Sequence, residues 1–566
     1  PLGSIALVLH SHIPYVLDHG RWPHGMDWLS EVAAETYVPL LGVLERLVEE
    51  GISPKVTLGL TPILVEQLAD ESFRHEFAAY LHQKIAAAGE NEREFRRQAR
   101  PDMASLARFW QEFYRGVRSR FLERHGGDLV AAFRRLQDAG HIEILTSAAT
   151  HGYLPLLGTD ACVRAQVRTG VEAYRRHFGR PPRGFWLPEC AYRPRYPWQP
   201  PVQRHQTPTP VERAGVEEIL AEHGIQYFYV DAHLLKGGRA LGVYAERFKA
   251  LEEMWSRFQR AWQPEEESRS HALPYLVNSS GRPLAPVALF ARDPETGIQV
   301  WSGDVGYPGD EWYLEFHKKH YPGNLRYWRV SWPRDDLGRK ELYEPVRALS
   351  RLPGHAAHFA QVVADALARH RDSLGQPGIL SAMYDTELFG HWWYEGAEWI
   401  YYAIRALAEN PAIVRVTSGE YLEANPPAEV VALPEGSWGE GGYHWIWLNE
   451  WTTWTWDRIY ACEKEMTALA RDLGGSPRVQ TLLRQAAREL LLLESSDWQF
   501  SISTWASRDY AEQRVRWHSE KFEAIAALAR RAAAGEEIAP DDWNALGEAE
   551  DRDRCFPDLD PQWWAG

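Results

Sequence analysis

Short apolar runs recur along the first two thirds of the chain, and most are followed by a segment with the apolar spacing of an amphipathic helix. Runs of this length, bounded by Gly, Pro or polar residues, are typical of buried strands in a parallel sheet. The pattern predicts seven such strands, near residues 5, 55, 142, 183, 226, 298 and 379. Seven strand–helix units predict an α/β fold whose parallel strands form a closed or nearly closed barrel.

Two long segments interrupt this alternation. Residues 66–139 have a helical and highly charged pattern, which predicts a helical insert. Residues 232–297 are polar and contain Gly and Pro, with one helical stretch near Tyr244 to Trp262. Long insertions at the functional edge of an α/β domain usually act as lids or binding loops. We therefore expect the segment 232–297 to cover a cleft.

The strand pattern ends before the last quarter of the chain. From Gly439 onward only helical periodicity is present, which predicts a C-terminal helical domain over residues 426–566. The acidic segment from Gly535 is expected to be irregular. The first four residues, Pro-Leu-Gly-Ser, look like the remainder of a cleaved tag, so the barrel domain is assigned to residues 5–425.

Composition narrows the possible partners. The formal net charge of −16 disfavours a nucleic acid or an anionic membrane. No run of about 20 apolar residues predicts a membrane span. The four cysteines lack C-x-x-C spacing, which favours reduced thiols in a cytoplasm. The 26 Trp and 25 Tyr are unusual, and although most should fill cores and interfaces, flat aromatic faces are also what sugar rings stack on.

Two predicted strands end in carboxylates. The run Gly184–Leu187 stops at Pro188, which cannot donate to a neighbouring strand, and the next residue is Glu189. The strand near residue 379 ends at Asp385. In α/β folds, ligands bind at this edge of the strands. Two carboxyl groups about 5–5.5 Å apart are the catalytic device of retaining glycosidases, with one as nucleophile and the other as acid and base.

Histidines end two further strands. His10 and His12 follow the first strand, and His151 follows the third. Alternate strand residues share a face, so His-x-His could be a metal pair. Structural histidines with satisfied hydrogen bonds, or histidines that contact sugar hydroxyls, are the alternatives, and the residue pattern does not choose among them.

Several long motifs carry a family resemblance. In chain order, five segments resemble the five sequence regions of glycoside hydrolase family 57, namely His10-Ser-His-Ile-Pro14, Ala149-Thr-His-Gly152, Gly184-Phe-Trp-Leu-Pro-Glu189, Tyr384-Asp-Thr-Glu-Leu-Phe-Gly-His391 and Thr417-Ser-Gly-Glu-Tyr421. Within that family the chain is most similar to the 1,4-α-glucan branching enzymes, through Asp385 to Gly396, Leu433 to Gly439, Val230 to His233 and Asp497 to Phe500.

The resemblance implies a distorted, TIM-like (β/α)7 barrel with a helical insert and a C-terminal helical domain that closes the cleft. It implies that Glu189 is the nucleophile and Asp385 the general acid/base. Residues expected to hold the glucan are His10, His12, His151, Tyr244, Arg292, Trp301, Gly309, Trp438, Trp447 and Asp497. Trp438 and Trp447 should stack on the acceptor chain, and Tyr244 should lie on a flexible loop needed for transfer. No metal and no cofactor are implied.

The expected reaction is cleavage of an α-1,4 bond in amylose, amylopectin or glycogen and transfer of the chain to a 6-hydroxyl, by a protein expected to be a monomer. An α-amylase-like hydrolase or a 4-α-glucanotransferase of the same family would use the same two carboxylates. A metal-dependent carbohydrate deacetylase or mannosidase-like hydrolase would use the histidines instead. A non-catalytic glucan-binding protein is disfavoured because both carboxylates are present. Trp451 to Trp456 is more aromatic than in similar branching enzymes, so the acceptor side is expected to differ.

Overall fold

A computed structural model describes residues 1–202, 209–236, 269–281, 285–303, 305–332 and 336–566. The strands in this part of the chain are β1 (Gly3–Ser11), β2 (Val56–Leu60), β3 (Ile142–Ser147), β4 (Gly184–Trp186), β5 (Tyr196–Trp198), β6 (Val211–Arg213), β7 (Tyr227–Val230), β8 (Tyr275–Val277), β9 (Val287–Ala291), β10 (Gly378–Asp385), β11 (Ile413–Arg415) and β12 (Val430–Val431).

Seven parallel strands form the barrel, in the order β10-β1-β2-β3-β4-β7-β9. Its two outer strands meet where the N–H of Asp293, just after β9, donates to the carbonyl of Ser381 in β10 at 3.0 Å. Strands β2, β3 and β9 are buried along their whole length, as their continuous apolar runs predict. The predicted (β/α)7 architecture is therefore confirmed.

Helices cover the barrel and form the C-terminal region. The α-helices of the described residues are α1 (Met26–Val32), α2 (Val38–Glu49), α3 (Pro62–Ala69), α4 (Glu71–Arg97), α5 (Pro101–Ser119), α6 (Leu129–Asp138), α7 (Asp160–Phe178), α8 (Val216–Glu222), α9 (His233–Lys236), α10 (Pro294–Trp301), α11 (Pro345–Leu374), α12 (Gly396–Glu409), α13 (Ser418–Ala424), α14 (Thr453–Leu473), α15 (Gln480–Leu493), α16 (Ser496–Thr504), α17 (Arg508–Ala533) and α18 (Pro540–Arg552). A π-helical turn, Ala33–Tyr37, joins α1 to α2. None of the helices described is long and apolar enough to cross a membrane.

The sixth barrel strand does not lie where the sequence pattern placed it. It is β9, and the residues near 298 belong to helix α10. Asp293 caps this helix, because its side chain accepts the N–H of Thr296 at 2.7 Å, and Pro294 occupies the first turn, where its missing N–H costs nothing. The alternating run Ile298-Gln-Val-Trp301 was therefore wrongly predicted as a strand.

Both ends of the chain also differ from expectation. Gly3 and Ser4 pair with Gly378 and Ile379 of β10, so their exclusion from the fold was wrong. The tail is not irregular, since it forms α18 and then buries Asp553 and Trp564. The predicted helical stretch near Tyr244 to Trp262 lies outside the described residues. The division of the chain at residue 426 stays a prediction.

Candidate active site

The candidate site lies at the carboxyl ends of β1, β3, β4 and β10, which bring His10, His12, His151, Glu189 and Asp385 to one edge of the barrel. Glu189 sits in a short 3-10 turn directly after β4. His151 and Glu189 both have φ near +60°, a left-handed conformation that non-glycine residues rarely adopt. Such backbone strain is concentrated at functional sites, which supports a functional role for this edge.

The carboxyl group of Glu189 is held by groups from the C-terminal part of the chain. The indole Nε1 of Trp438 donates to Oε2 at 2.8 Å, and the hydroxyl of Ser496 donates to Oε1 at 3.3 Å. The backbone N–H of Trp438 also donates to the carbonyl of Glu189 at 3.0 Å. These contacts fix the orientation of the carboxyl group and stabilise its ionised form.

The negative charge of Asp385 acts on Glu189, and that of Glu387 acts on Asp385. Burial raises the pKa of Glu189 to about 8, the Trp438 hydrogen bond opposes this rise, and the negative charge of Asp385 adds to it. Burial and the charge of Glu387 raise the pKa of Asp385 well above its ordinary value, while Arg292 lowers it. One carboxyl group of such a pair retains its proton near neutral pH.

Four stacked rings form one wall of the site. The imidazole of His10 stacks on Trp186 at 4.5 Å between ring centroids, and its Nε2 lies 3.0 Å from Nε2 of His151. The imidazole of His12 stacks on that of His151 at 4.0 Å. Burial, followed by neighbouring histidines, lowers the pKa of both His10 and His151 well below the usual range. These two side chains are therefore neutral near pH 7 and suited to hydrogen bonds with hydroxyl groups.

His12, His151 and Asp497 could in principle hold a metal ion, because their ligand atoms lie within 4.8 Å of one another. The His12 nitrogens instead bond to protein groups, with Nδ1 2.9 Å from the hydroxyl of Thr61 and Nε2 2.8 Å from Asp497. Although burial opposes its ionisation, interactions with His12 and His151 and a hydrogen bond from Ser495 lower the pKa of Asp497 to about 2. In this structure His12 and Asp497 are joined by a hydrogen bond, and His151 stacks on His12.

Two further predicted residues surround Trp438. Arg292, just after β9, forms an ion pair with Asp231 at 2.5 Å and lies 5.5 Å from the Trp438 ring. Trp301, at the end of α10, packs edge-on against Trp438 at 6.1 Å. The structure thus joins Arg292, Trp301 and Trp438 in one group beside Glu189. Gly309 ends a 3-10 turn, and its N–H donates to the carbonyl of Gly306. Among the described residues, no hydrogen bond joins Gly309 to Glu189 or Asp385.

Trp447 does not present the expected surface for a sugar. Its side chain is only 1% exposed and stacks on Tyr153 at 4.5 Å. The ring also packs against the backbone at Gly439, where a side chain would collide with it. In this structure Trp447 supports the segment that carries Trp438. Tyr244 lies outside the described residues.

Three residues in the site were not singled out from the sequence. Trp186 supports His10, Ser496 bonds to both Glu189 and His151, and Glu387 bonds to the end of β1. Two of them could have been found from the sequence because they lie next to predicted site residues. Glu387 follows Asp385 by two positions, and Ser496 precedes Asp497. Their partners are more than a hundred residues away in the chain, so the contacts themselves could not be inferred from spacing.

The sequence model for glycosyl hydrolase family 57 matches residues 6–434, and the model for the C-terminal region of 1,4-alpha-glucan branching enzymes matches residues 458–564. The first of these models matches more than half of the chain, including the barrel and its paired carboxyl groups. The chain therefore belongs to glycosyl hydrolase family 57. It is 40% identical to the 1,4-alpha-glucan branching enzyme TK1436 of Thermococcus kodakarensis, over 98% of this chain and 77% of that protein.

Solved structures give the same relationship. The branching enzyme of this family from Pyrococcus horikoshii is 39% identical, with a TM-score of 0.88 over 100% of this chain and 97% of that one. The alpha-amylase AmyC from Thermotoga maritima is 26% identical, with a TM-score of 0.80 over 100% and 99% of the two chains. The fold is therefore shared by a relative named as a branching enzyme and by one named as an alpha-amylase.

Proposed function

We propose that this protein is a 1,4-α-glucan branching enzyme that works by a retaining, double-displacement mechanism. The observation that carries the chemistry is the partly buried pair Glu189 and Asp385 at the ends of β4 and β10, with Glu189 held by two hydrogen-bond donors. The 40% identity to a branching enzyme across nearly the whole chain supports the transfer reaction over hydrolysis.

The first half-reaction cleaves the α-1,4 bond. Asp385 gives its proton to the glycosidic oxygen, the bond from that oxygen to the anomeric carbon breaks, and a Glu189 oxygen forms a bond to that carbon. The surroundings of each group support this assignment. The donors Trp438 and Ser496 stabilise a Glu189 carboxylate, whereas burial and the neighbouring charge of Glu387 keep the proton on Asp385.

The second half-reaction releases the chain. Asp385, now ionised, takes the proton from the 6-hydroxyl of an acceptor glucan as that oxygen attacks the anomeric carbon, and the bond to Glu189 breaks. Two inversions leave the α configuration, and the product is an α-1,6 branch. If water attacks instead, the product is a new reducing end.

The acceptor must therefore reach the glycosyl enzyme before water does. We assign this role to Trp438 with Trp301, which stand beside Glu189, and to Tyr244 on the segment before β8. Tyr244→Ala should lower the yield of α-1,6 branches while the release of reducing ends stays the same or rises. Equal losses of both products, or no change in either, would remove Tyr244 from this role.

An α-amylase-like hydrolase is the second candidate, and the 26% identity to AmyC across the whole chain favours it. Incubation with amylose, followed by measurement of α-1,6 linkages beside new reducing ends, separates the two. A branching enzyme gives mainly α-1,6 linkages, and a hydrolase gives mainly reducing ends.

The proposal extends to the setting of the reaction. The substrate would be a glycogen- or starch-type glucan, and the protein would act as a monomer in a cytoplasm. The four cysteines are unpaired and buried, which suits a reducing compartment. Size-exclusion chromatography with light scattering would test the monomer.

A further inference from the structure

A third carboxyl group, that of Glu387, acts electrostatically on Asp385. It lies two residues after Asp385, in the short turn Thr386–Leu388, and is 8% exposed. Its Oε1 accepts two hydrogen bonds, from the backbone N–H of His12 at 2.9 Å and from the hydroxyl of Tyr37 at 2.5 Å. An oxygen that accepts two donors has the environment of an ionised carboxylate, which only accepts.

The π-helical turn between α1 and α2 holds this segment in place. Its last three residues all bond to the segment that follows Asp385. Glu35 bonds to Nδ1 of His391 at 3.0 Å, Thr36 accepts the N–H of His391 at 3.0 Å, and Tyr37 donates to Glu387. Turns of this kind are rare and occur frequently at functional sites. The π turn therefore holds the segment that follows Asp385 at Glu387 and at His391.

The charges that face Asp385 and Glu387 come from several elements. Glu387, Arg292 and Glu189 face Asp385, and Arg292 is already paired with Asp231. Tyr37, His12 and Asp497 face Glu387, and burial raises the pKa of Glu387 to about 7. The charge of Glu387 adds to burial in raising the pKa of Asp385, and Arg292 opposes that rise.

We infer that Glu387 is a positioning residue for the acid/base step, and that its carboxylate, when ionised, keeps the proton on Asp385 until the glycosidic oxygen takes it. The inference rests on the proposed function. During the first half-reaction the proton moves to the leaving oxygen and Asp385 becomes an anion beside Glu387. That repulsion makes the Asp385 carboxylate a stronger base, and in the second half-reaction it recovers a proton from the acceptor hydroxyl.

The test is the pH profile of kcat/KM for total cleavage of amylose, measured for wild-type protein and Glu387→Gln. Glutamine keeps the size and the accepting oxygen of Glu387 but removes its charge. We expect the basic limb, which reports loss of the Asp385 proton, to move to lower pH by about one unit or more. Thr36→Val is the matched control, because it removes one contact of the π turn without a change of charge, and its basic limb should stay in place.

A second readout does not depend on turnover. The infrared carbonyl band of protonated Asp385, identified as the band that Asp385→Asn lacks, should disappear at lower pH in Glu387→Gln than in wild-type protein. An unmoved limb and an unmoved band in Glu387→Gln would reduce Glu387 to a structural role and overturn the inference. Because the rate assay counts every cleavage, hydrolysis in place of branching would contradict the proposed function without affecting this test.

Discussion

At the scale of single residues, the site depends on two strained backbone positions and one serine. The left-handed conformations of His151 and Glu189 each cost about 1–3 kcal/mol. Ser496 bonds to both residues, since its hydroxyl lies 2.8 Å from Nδ1 of His151 and 3.3 Å from Glu189, and its N–H donates to the carbonyl of His151. A C-terminal helix thus offsets strain stored in the barrel.

The first prediction concerns the nucleophile. Glu189→Gln should retain the fold and lose activity on amylose to below about one hundredth of wild type, because loss of a covalent nucleophile costs orders of magnitude. The measurements are initial rates and a thermal melt of both proteins. Activity above that level in a folded variant would contradict the role of Glu189.

The second prediction concerns metal. In the proposed mechanism two carboxyl groups supply the acid, the base and the nucleophile, so that no metal ion is needed. Dialysis against EDTA should therefore leave the rate on amylose unchanged. Stoichiometric zinc in the purified protein, lost together with activity on chelation, would support the deacetylase-like alternative.

At the scale of elements, the strand ends were the most predictable part of the molecule. Continuous apolar runs placed six barrel strands, and the carboxyl-end rule placed Glu189 and Asp385 at one edge. The sixth strand was misplaced because the run near residue 298 alternates like a strand, whereas the cap at Asp293 makes it a helix. The burial of other predicted site residues depends on contacts between residues far apart in the chain. The burial of Trp447 depends on Tyr153, almost three hundred residues earlier, and no local pattern reports it.

The third prediction concerns the Trp438 segment. Trp438→Phe removes the indole donor that lowers the pKa of Glu189, so that pKa should rise. The nucleophile must be ionised, and the acidic limb of kcat/KM should therefore move to higher pH. Loss of a hydrogen bond to a charged group costs about 1.5–3 kcal/mol, or roughly tenfold to a hundredfold in rate.

Trp447→Phe is the control for this change. The Trp447 indole nitrogen has no partner within the described residues, and its ring packs on Tyr153. The control should lower stability without moving the acidic limb. If the acidic limb of kcat/KM lies at the same pH in Trp438→Phe and in wild-type protein, the indole donor does not lower the pKa of Glu189.

At the scale of the whole molecule, a buried acid pair links the C-terminal helices to the barrel. Glu463 of α14 accepts the N–H of Gly158 at 2.8 Å, and Glu494, just after α15, accepts from Gln166 of α7 at 2.7 Å. Burial, followed for Glu494 by the charge of Glu463, raises the pKa of both groups. A proton shared between them satisfies oxygens that otherwise have no donor.

The fourth prediction follows from the sign of these shifts. The folded state holds a proton that the unfolded chain releases at the ordinary Glu pKa, so this contribution to stability is lost as pH rises through the raised folded pKa. The melting temperature should fall as pH rises from about 5 to about 8, the range between the ordinary Glu pKa and the raised pKa of Glu463, and Glu494→Gln should reduce that fall because its amide donates to Glu463 without a titrating proton. Glu465 lies on the same helix as Glu463 and forms a surface ion pair with Arg530 of α17. Glu465→Gln should therefore leave the slope unchanged.

The most direct test of the central claim is to trap the glycosyl enzyme. Asp385→Asn cannot protonate a natural leaving group, but a donor with an activated leaving group needs no such help and should still react slowly with Glu189. After an acid quench and proteolysis, mass spectrometry should find the donor glycosyl group attached to the peptide that contains Glu189. An unmodified Glu189 peptide, with turnover that yields a product of inverted configuration, would contradict the retaining mechanism.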